Sequence, residues 1–452
     1  MFRSPQQMKT HRLLPIIAAM FVATTTLPVA QAATLNVPSV PFPTIQAAID
    51  AANAGDTILV AAGVYAQSLV WTNKDLVIQG AGEGQTIVTA APVGVGPYTG
   101  HGLFTDGLSS ASRIEDFTFS GNVAFVGGGM HNVRSNLSIT RCTFSGNTGL
   151  SGAGGMFNLQ SSPSVSNCTF KANHAGSVGE AGNGGGVLNS VHGNASFTNC
   201  VFVANSAFAG GGMSNIISSN PTLINCTFTA NQADVANGFV GGGIANDGGS
   251  PRIINCLFWE NMGGSIANLP DSFPVVTSSN VQGLPNGANA PDANGNIAAD
   301  PLFVDVANGN LRLQEGSPSI NTGSNTVVTS PPFLQIGGII IDLDNLPRIS
   351  GGTVDMGAYE ADDTPTVVEI METIQDLKGL VSATQVSPAN RNSLQAKLNA
   401  ALTALASDDR ATAASRLRDF IKHVSTLIKT RQVAEADGVL LINAAQDILD
   451  LL

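Results

Sequence analysis

The chain has 452 residues, a formal net charge of −12 and 50 glycines, and only 12% of its residues are charged. Between Ala33 and Asp363 there are 22 acidic and 8 basic residues, which leaves a net charge of −14. This balance argues against a nucleic-acid partner, because binding to phosphates relies on clustered Lys and Arg. Abundant glycine with few charges favours a long stack of tight coils over a compact enzyme.

Residues 1–32 have the pattern of a secretory signal peptide. Arg3, Lys9 and Arg12 precede a short apolar run from Leu13 to Val22, and a small-x-small cleavage site ends at Ala32. The run is shorter than the roughly 20 residues that span a bilayer, so a retained anchor is the less favoured alternative. The sequence therefore predicts an exported mature chain, secreted or at the cell surface, with no transmembrane segment.

Residues 43–65 predict the N-terminal cap of a solenoid. Ile45, Ala48 and Ile49 fall on one face of a short helix after Thr44 as its N-cap, and residues 57–61 form a strand. A helix here would cover strand edges that are otherwise exposed. The segment resembles the N-terminal cap of pectin-lyase-like secreted proteins. Further coils are predicted at 76–78, 86–88 and 102–104.

From Phe117 to Asn268 one short unit is written six times. Each unit reads [Cys/Phe]-x-Phe-x-x-Asn, followed by a glycine cluster, a small apolar residue and a second asparagine, as in CTFSGN and AGGMFN. The units start 25 to 32 residues apart, a spacing typical of solenoids. Triple glycine would break the helices of a helical repeat, and runs such as SLSITRCTF predict strands. The predicted fold of residues 33–361 is an all-β right-handed parallel β-helix.

Equivalent residues of stacked coils should form ladders. The Cys and the second Phe of each unit are two residues apart, so both point to the inner face. The asparagine that ends each motif should stack at a turn, where its amide can bond the next coil. The predicted ladders are Asn122, Asn147, Asn173, Asn205, Asn231 and Asn261, and Cys142, Cys168, Cys200, Cys226 and Cys256. The cysteines are interpreted as buried free thiols, with oxidation of one adjacent pair as the alternative.

The FxxN and glycine-cluster pattern resembles the polymorphic outer-membrane protein repeat and pectin-lyase-like β-helices over residues 43–360. After Asn268 the period fades, and terminal coils are expected over residues 269–361. The runs 300–324 and 342–360 resemble the close of choice-of-anchor β-helix proteins, which are exported bacterial proteins with varied surface attachment. Asp342 and Asp344 could bind calcium, but two carboxylates alone favour a solvated turn. No other metal or cofactor is predicted.

Composition changes behind a predicted linker at residues 362–366. Apolar residues at helical spacing predict a bundle of three or four helices over residues 367–452. Ser387-Pro388 has the form of an N-cap followed by proline at the first helical position. The module resembles the FIMAH module at the C-terminus of secreted bacterial proteins, which implies a role in attachment or docking.

The β-helix fold hosts polysaccharide lyases and hydrolases, so catalytic residues were sought. A lyase needs a base beside carboxylates, and a hydrolase needs two carboxyls roughly 5–10 Å apart. Between Cys142 and Pro251 there is no arginine, Lys171 is the only lysine, and the acidic residues are Glu180, Asp234 and Asp247. These four are the catalytic candidates.

The remaining candidates are isolated aromatic and imidazole groups. Trp259 follows an inward phenylalanine and should face outward, so Trp259 and Glu260 are predicted to be an exposed pair that contacts a sugar. Gly100-His101-Gly102 resembles the GHG of polygalacturonases only by chance, because no paired aspartates precede it. His131, His174 and His192 are interpreted as surface loop residues.

Two hypotheses follow from the sequence. The first is a non-catalytic exported β-helix with a binding, adhesion or structural role, whose partner is a polysaccharide or a cell-envelope component. The second is a polysaccharide lyase or glycoside hydrolase that acts on an acidic polysaccharide. A carboxylate cluster with a nearby Arg or Lys on one outward face would distinguish the two.

Overall fold

The computed structural model describes residues 32–89, 99–177, 180–234, 241–284, 292–329, 333–336, 338–361 and 367–452. The predicted signal peptide up to residue 31 and the predicted linker lie outside these residues. Within them, short parallel strands stack into the predicted right-handed parallel β-helix, and a helical bundle follows.

Three long parallel sheets, A, B and C, form the walls of the β-helix. The strands of sheet A are Thr34–Val37, Thr57–Val60, Val77–Gln79, Arg113–Glu115, Ser138–Thr140, Ser164–Ser166, Ser196–Thr198, Thr222–Ile224, Arg252–Ile254 and Val275–Thr277. Those of sheet B are Gly63–Ala66, Thr86–Thr89, Thr118–Ser120, Thr143–Ser145, Thr169–Lys171, Val201–Val203, Thr227–Thr229, Leu257–Trp259 and Asn280–Val281. Those of sheet C are Leu69–Thr72, Leu103–Asp106, Met130–Val133, Met156–Leu159, Val187–Ser190, Met213–Ile216, Ile244–Asp247 and Ile266–Asn268.

A smaller sheet D lies between sheets B and C along the chain. Its parallel strands are Val123–Val126, Thr148–Gly152, His174–Ser177, Ser206–Ala207 and Gln232–Ala233, and Glu180–Ala181 pairs antiparallel with the third of them. Sheet D was not predicted, because its strands are short and interrupted by glycine.

The inner phenylalanines of sheet B form one continuous stack. From Phe119 to Phe258 the ring centroids of successive coils are 4.2–5.3 Å apart, with interplanar angles of 4–12°. These rings are fully buried. Each buries about 150–250 Å² of surface, so the in-register repeat of Phe is a main source of the apolar core.

The glycine clusters make the corner that leads into sheet C. Gly184 has φ +73°, which favours glycine. A Cβ on Gly186 would lie 2.5 Å from the carbonyl oxygen of Gly212. The cluster therefore combines a left-handed position with a close approach of neighbouring coils.

The N-terminal helix Ile45–Ala51 packs its apolar face against the core. As predicted, the Thr44 side chain accepts a hydrogen bond from the Ala47 N–H, at 3.1 Å. The Gln46 side chain accepts from the Val70 N–H at 2.8 Å and donates to the Val70 carbonyl at 2.9 Å. Val70 belongs to the edge strand of sheet C, so one amide side chain replaces a neighbouring strand there.

Coils continue after Asn268 through Val275–Thr277 and Asn280–Val281, but the prediction that they reach residue 361 is wrong. The described residues of 301–361 are named the strap, and their paired strands are antiparallel. Phe303–Asp305 pairs with Asn310–Leu313, and Gln335–Ile336 pairs with Ile339–Ile340. A 3₁₀ turn spans Asn325–Val327. The strap packs on the outside of the β-helix, where Leu311 and Ala358 contact Val201 and Val203 of sheet B. Its alternating runs have strand periodicity, which does not distinguish a further coil from an external hairpin.

Four helices follow the strap: Val367–Ala383, Pro388–Leu405, Arg410–Lys429 and Glu435–Asp450. They enclose an apolar core of their own. Ser387 caps the second of them by accepting from the Asn390 N–H, in agreement with the sequence. In the described part of the chain, no helix combines the length and the hydropathy needed to cross a membrane.

Candidate functional site

The corner between sheets B and D carries the predicted asparagine ladder. From Asn122 to Asn261 each side-chain amide donates to the Oδ1 of the next asparagine, at 2.7–2.9 Å. A second ladder lies inside sheet C, with Nδ2 to Oδ1 distances of 2.8–2.9 Å, and consists of Asn132, Asn158, Asn189, Asn215, Asn246 and Asn268. Nearly all of these side chains are buried, so the ladders join coils and offer no surface to a ligand.

The five cysteines are buried free thiols in one internal column. Each thiol donates to the carbonyl oxygen of the residue two positions before it, at sulfur–oxygen distances of 3.2–3.4 Å. Burial raises the pKa of the Cys256 thiol well above its ordinary value. A protonated, inaccessible thiol is a poor nucleophile and a poor metal ligand.

The four predicted catalytic residues lie on three different sheets. Lys171 is exposed on sheet B, Asp247 ends a strand of sheet C, and Asp234 follows the last strand of sheet D. Glu180 is in the short antiparallel strand beside sheet D, and its side chain lies outside the described residues. Lys171 has no ion pair within the described ranges. Among the described side chains, Lys171 therefore forms no ion pair with Asp234 or Asp247.

An arginine does lie beside carboxylates: Arg141, directly before Cys142. Arg141 donates to Asp116 through Nε at 2.7 Å and Nη2 at 2.8 Å, and to Glu115 at 3.2 Å. The hydrogen bonds to Asp116 raise the pKa of Arg141 above its already high value. A guanidinium held in this way stabilises the corner between sheets A and B, but cannot accept a proton.

The proposed calcium ligands also have other partners. Asp342 is buried and accepts hydrogen bonds from the backbone N–H groups of Asp344, Leu346 and Glu360, each at 2.8 Å. Asp344 forms a forked pair with Arg312, with both N–O distances at 2.6 Å. Within the described residues there is no group of three or more His, Cys, Asp or Glu side chains that could hold a metal ion.

The interpretation of His131 as a surface loop residue is wrong. It lies on a strand of sheet C, with its ring 5.2 Å from Phe104 and 5.0 Å from Phe157 between centroids. Both ring nitrogens are buried without a hydrogen-bond partner, and burial lowers the pKa of His131 to about 3. His131 is a neutral packing residue there. His174 and His192 are exposed, and His101 is buried and contacts the Gly127 carbonyl.

Trp259 and Glu260 lie at the end of a sheet B strand. Trp259 is half-buried on the outer side and Glu260 is exposed. The Glu260 backbone has φ +54°, and its N–H donates to Gln282 at 2.7 Å. They remain a candidate sugar contact, formed by a single ring.

A column of asparagines that the sequence analysis missed holds the strap. Asn199, Asn225 and Asn255 precede the ladder cysteines, have φ near +50° and donate to strap carbonyls: Asn199 to Ile341 and Asn225 to Asp355 at 2.8 Å, and Asn255 to Ser324 at 3.1 Å. The residue pairs joined are 69 to 142 positions apart in sequence. Asn-Cys at four of the five cysteines was the available signal, although a left-handed asparagine by itself predicts only a turn.

The outer surface of sheet A that the strap leaves open is rich in hydrogen-bond donors. One register row on it is Arg113, Ser138, Ser164, Ser196, Thr222 and Arg252. Beside it, at the corner from sheet C, lies a second row: Asn136, Ser162, Asn194, Asn220 and Ser250. These two rows are named the donor face. The sequence signal for it, small polar residues at alternate strand positions, does not distinguish a site from a solvated face.

A comparison with protein-family models supports the fold. A family model described as "right handed beta helix region" matches residues 99–258. Among solved structures, a pectin methylesterase bound to a hexasaccharide has a TM-score of 0.27 at 14% identity, covering 54% of this chain and 80% of that one. A pectin methylesterase from Erwinia chrysanthemi has a TM-score of 0.24 at 14% identity with the same coverage. An alginate lyase has 0.18 at 12%, covering 56% and 47%.

A comparison with curated proteins gave no match. Identities and scores as low as those of the solved structures give no information about activity. The function must therefore be inferred from this chain's own surface.

Proposed function

We propose that the chain is an exported, non-catalytic β-helix protein that binds a polysaccharide or another component of the cell envelope. One contrast supports this proposal. Arg141 and Arg312, which lie near carboxylates, are held in ion pairs, whereas Arg113 and Arg252 on the donor face have no ion pair or side-chain hydrogen bond within the described residues. The described surface thus offers two arginines for binding, whereas Arg141 and Arg312 beside carboxylates are held by them.

The remaining parts of the chain fit the same role. The N-terminal pattern supports export, and we propose that the protein acts outside the cell or on its surface. The C-terminal bundle supplies a separate folded module, for which we propose attachment or docking. A long rigid solenoid presents an extended surface of the kind that repeat proteins use for binding.

The second candidate is a polysaccharide lyase or glycoside hydrolase. The cluster of Glu115, Asp116 and Arg141 on one outward corner has the residue types that a lyase requires. Its arginine is held by three hydrogen bonds to the two carboxylates, which is why we rank the enzyme second.

The test uses the purified chain with a panel of acidic and neutral polysaccharides. Unsaturated products would be followed by absorbance and new chain ends by a reducing-sugar assay, with and without calcium, while binding is measured by biolayer interferometry. Retention without turnover is the expected result. Turnover of any glycan would overturn the proposal and make Arg141, Lys171, Asp234 and Asp247 the residues to replace. Absence of both would leave a structural surface role.

A further inference from the structure

We infer that the groove between the first and fourth helices of the C-terminal bundle, Val367–Ala383 and Glu435–Asp450, binds a cationic amphipathic helix of a partner protein. The inference rests on the docking role proposed for the bundle. It assigns that role to one surface and specifies the secondary structure and the charge of the partner.

The bundle separates its charges into two layers. Each helix packs against its neighbour in sequence, and the first also packs against the fourth, so these two form one layer and the second and third helices form the other. The first helix carries three Asp or Glu residues and one lysine, and the fourth carries four and no basic residue. The second helix carries two Lys or Arg residues and the third carries five, with a single aspartate on the third. The first and fourth helices are named the acidic layer, and the other two the basic layer.

A groove of about 380 Å³ lies between the two helices of the acidic layer. The apolar residues that line it are Leu377, Leu380, Ala444, Ile448 and Leu451. On the fourth helix the apolar row continues to Leu440, which is 51% exposed. From Leu440 to Leu451 the members of this row are three or four residues apart, so they share one face of the helix over about 16 Å. An elongated apolar row of this spacing matches the ridge of a helix about three turns long.

Two carboxylates flank the apolar floor of the groove. Asp376 lines the groove from the first helix and Asp447 from the fourth. Both are exposed, and neither has an ion pair or a side-chain hydrogen bond in the described part of the chain. Each lies four residues before an apolar lining residue, Leu380 or Leu451, and so stands beside it on the helix surface. A helix that matches the groove therefore has apolar residues along one face and Lys or Arg on both flanks of that face.

A second copy of the bundle does not match the groove. Two acidic layers placed face to face would bring like charges together. The basic layer of another copy would supply cations, but the exposed large apolar side chains among the described residues of the bundle, Val368, Val439 and Leu440, all lie on the acidic layer. An anionic lipid surface would be repelled by the acidic layer. A helix of a separate protein can supply both the apolar ridge and the cations.

The groove on the other side of the fourth helix has the opposite charge. Arg418 and Lys422 of the third helix line it, together with Gln446 and Leu449 of the fourth. A cationic helix would be repelled there. The charge pattern therefore directs such a helix to the groove of the acidic layer.

The test uses the full chain and two peptides of about 18 residues, long enough to form a helix, in fluorescence anisotropy titrations. One peptide carries a leucine ridge flanked by lysines, and the other has glutamate in place of every lysine. The lysine peptide should bind at least about tenfold more tightly, because contacts with the two carboxylates turn repulsive in the glutamate peptide. Asp376→Asn and Asp447→Asn should each weaken binding of the lysine peptide about two- to fivefold, and the double variant about tenfold. Ala444→Phe, which fills the groove, should abolish binding.

Glu435→Gln is the matched control. It removes one carboxylate from the fourth helix on the side that carries Gln446, 11 positions later, so the affinity for the lysine peptide should not change. Melting curves would establish that each variant is folded, and the two asparagine variants decide the question if Ala444→Phe does not fold.

Three results would overturn the inference. Equal losses of affinity in the control and in the asparagine variants would indicate a general attraction to an acidic chain. Equal affinity for the two peptides would refute the role of the carboxylates. Absence of binding of the lysine peptide would refute the groove alone, because the binding function of the β-helix is measured separately by retention on polysaccharides.

Discussion

Replacing Asn173 by alanine tests whether the buried ladders hold the coils together. Its amide donates to Phe144 O and Asn205 Oδ1, both at 2.9 Å, and its Oδ1 accepts from the Asn147 backbone N–H at 3.0 Å and the Asn147 Nδ2 at 2.9 Å. The substitution leaves two donors of Asn147 buried without acceptors. At about 1–3 kcal/mol for each, the free energy of unfolding should fall by about 2–6 kcal/mol.

Urea denaturation followed by circular dichroism would measure this loss, and hydrogen exchange would show whether protection falls first in the coils next to residue 173. Asn194→Ala is the matched control, because Asn194 is exposed and its oxygen accepts a single hydrogen bond, from Asn220. The control should cost about 1 kcal/mol or less. Equal losses in the two variants would refute the view that the buried ladder is a major source of stability.

Four further substitutions test other features of the fold. Asn225→Ala should release part of the strap, because the side chain donates to two strap carbonyls. Limited proteolysis should then cut within residues 301–361 faster than in wild type. An unchanged rate of cutting would contradict the role of Asn225 in holding the strap. Gly186→Ala should lower the free energy of unfolding by about 3 kcal/mol, because the added Cβ would lie 2.5 Å from the Gly212 carbonyl oxygen. Gly121→Ala places its Cβ in open space but at φ +64°, so it should cost only about 1–2 kcal/mol; thermal melts would compare the two. His131→Phe should preserve stability at neutral pH. In the folded protein the pKa of His131 is about 3, below its ordinary 6.5. The stability contributed by the neutral ring is therefore present above pH 6.5 and is lost as the pH falls toward 3. Melting curves across that range should show a smaller loss of stability for the phenylalanine variant.

The sequence predicted the features that repeat and missed those that depend on contacts distant in the chain. The Cys-x-Phe spacing placed both side chains inward, and a fixed asparagine placed one turn in every coil, because a period of two and a stacked register leave little freedom. Arg141 looked unremarkable, since the ion pair that holds it joins adjacent coils 25 residues apart. His131 was misread because outward positions of a sheet are usually solvated, and here neighbouring aromatic rings bury it.

The distribution of polar groups between inside and outside explains why the donor face is the best candidate for function. Buried asparagines pair along the stack, buried thiols donate to carbonyls of their own coil, and the left-handed asparagine column pairs with the strap, so these repeated polar groups serve stability. On the donor face the oxygens of Asn136 and Asn194 accept hydrogen bonds from the fold, whereas their amide N–H groups have no acceptor within the described residues. The two arginines contribute no ion pair to the fold in the same described part of the chain. Replacing Arg113 or Arg252 should therefore change stability by less than about 0.5 kcal/mol. A surface that the fold does not need can vary with its ligand, whereas the ladders cannot.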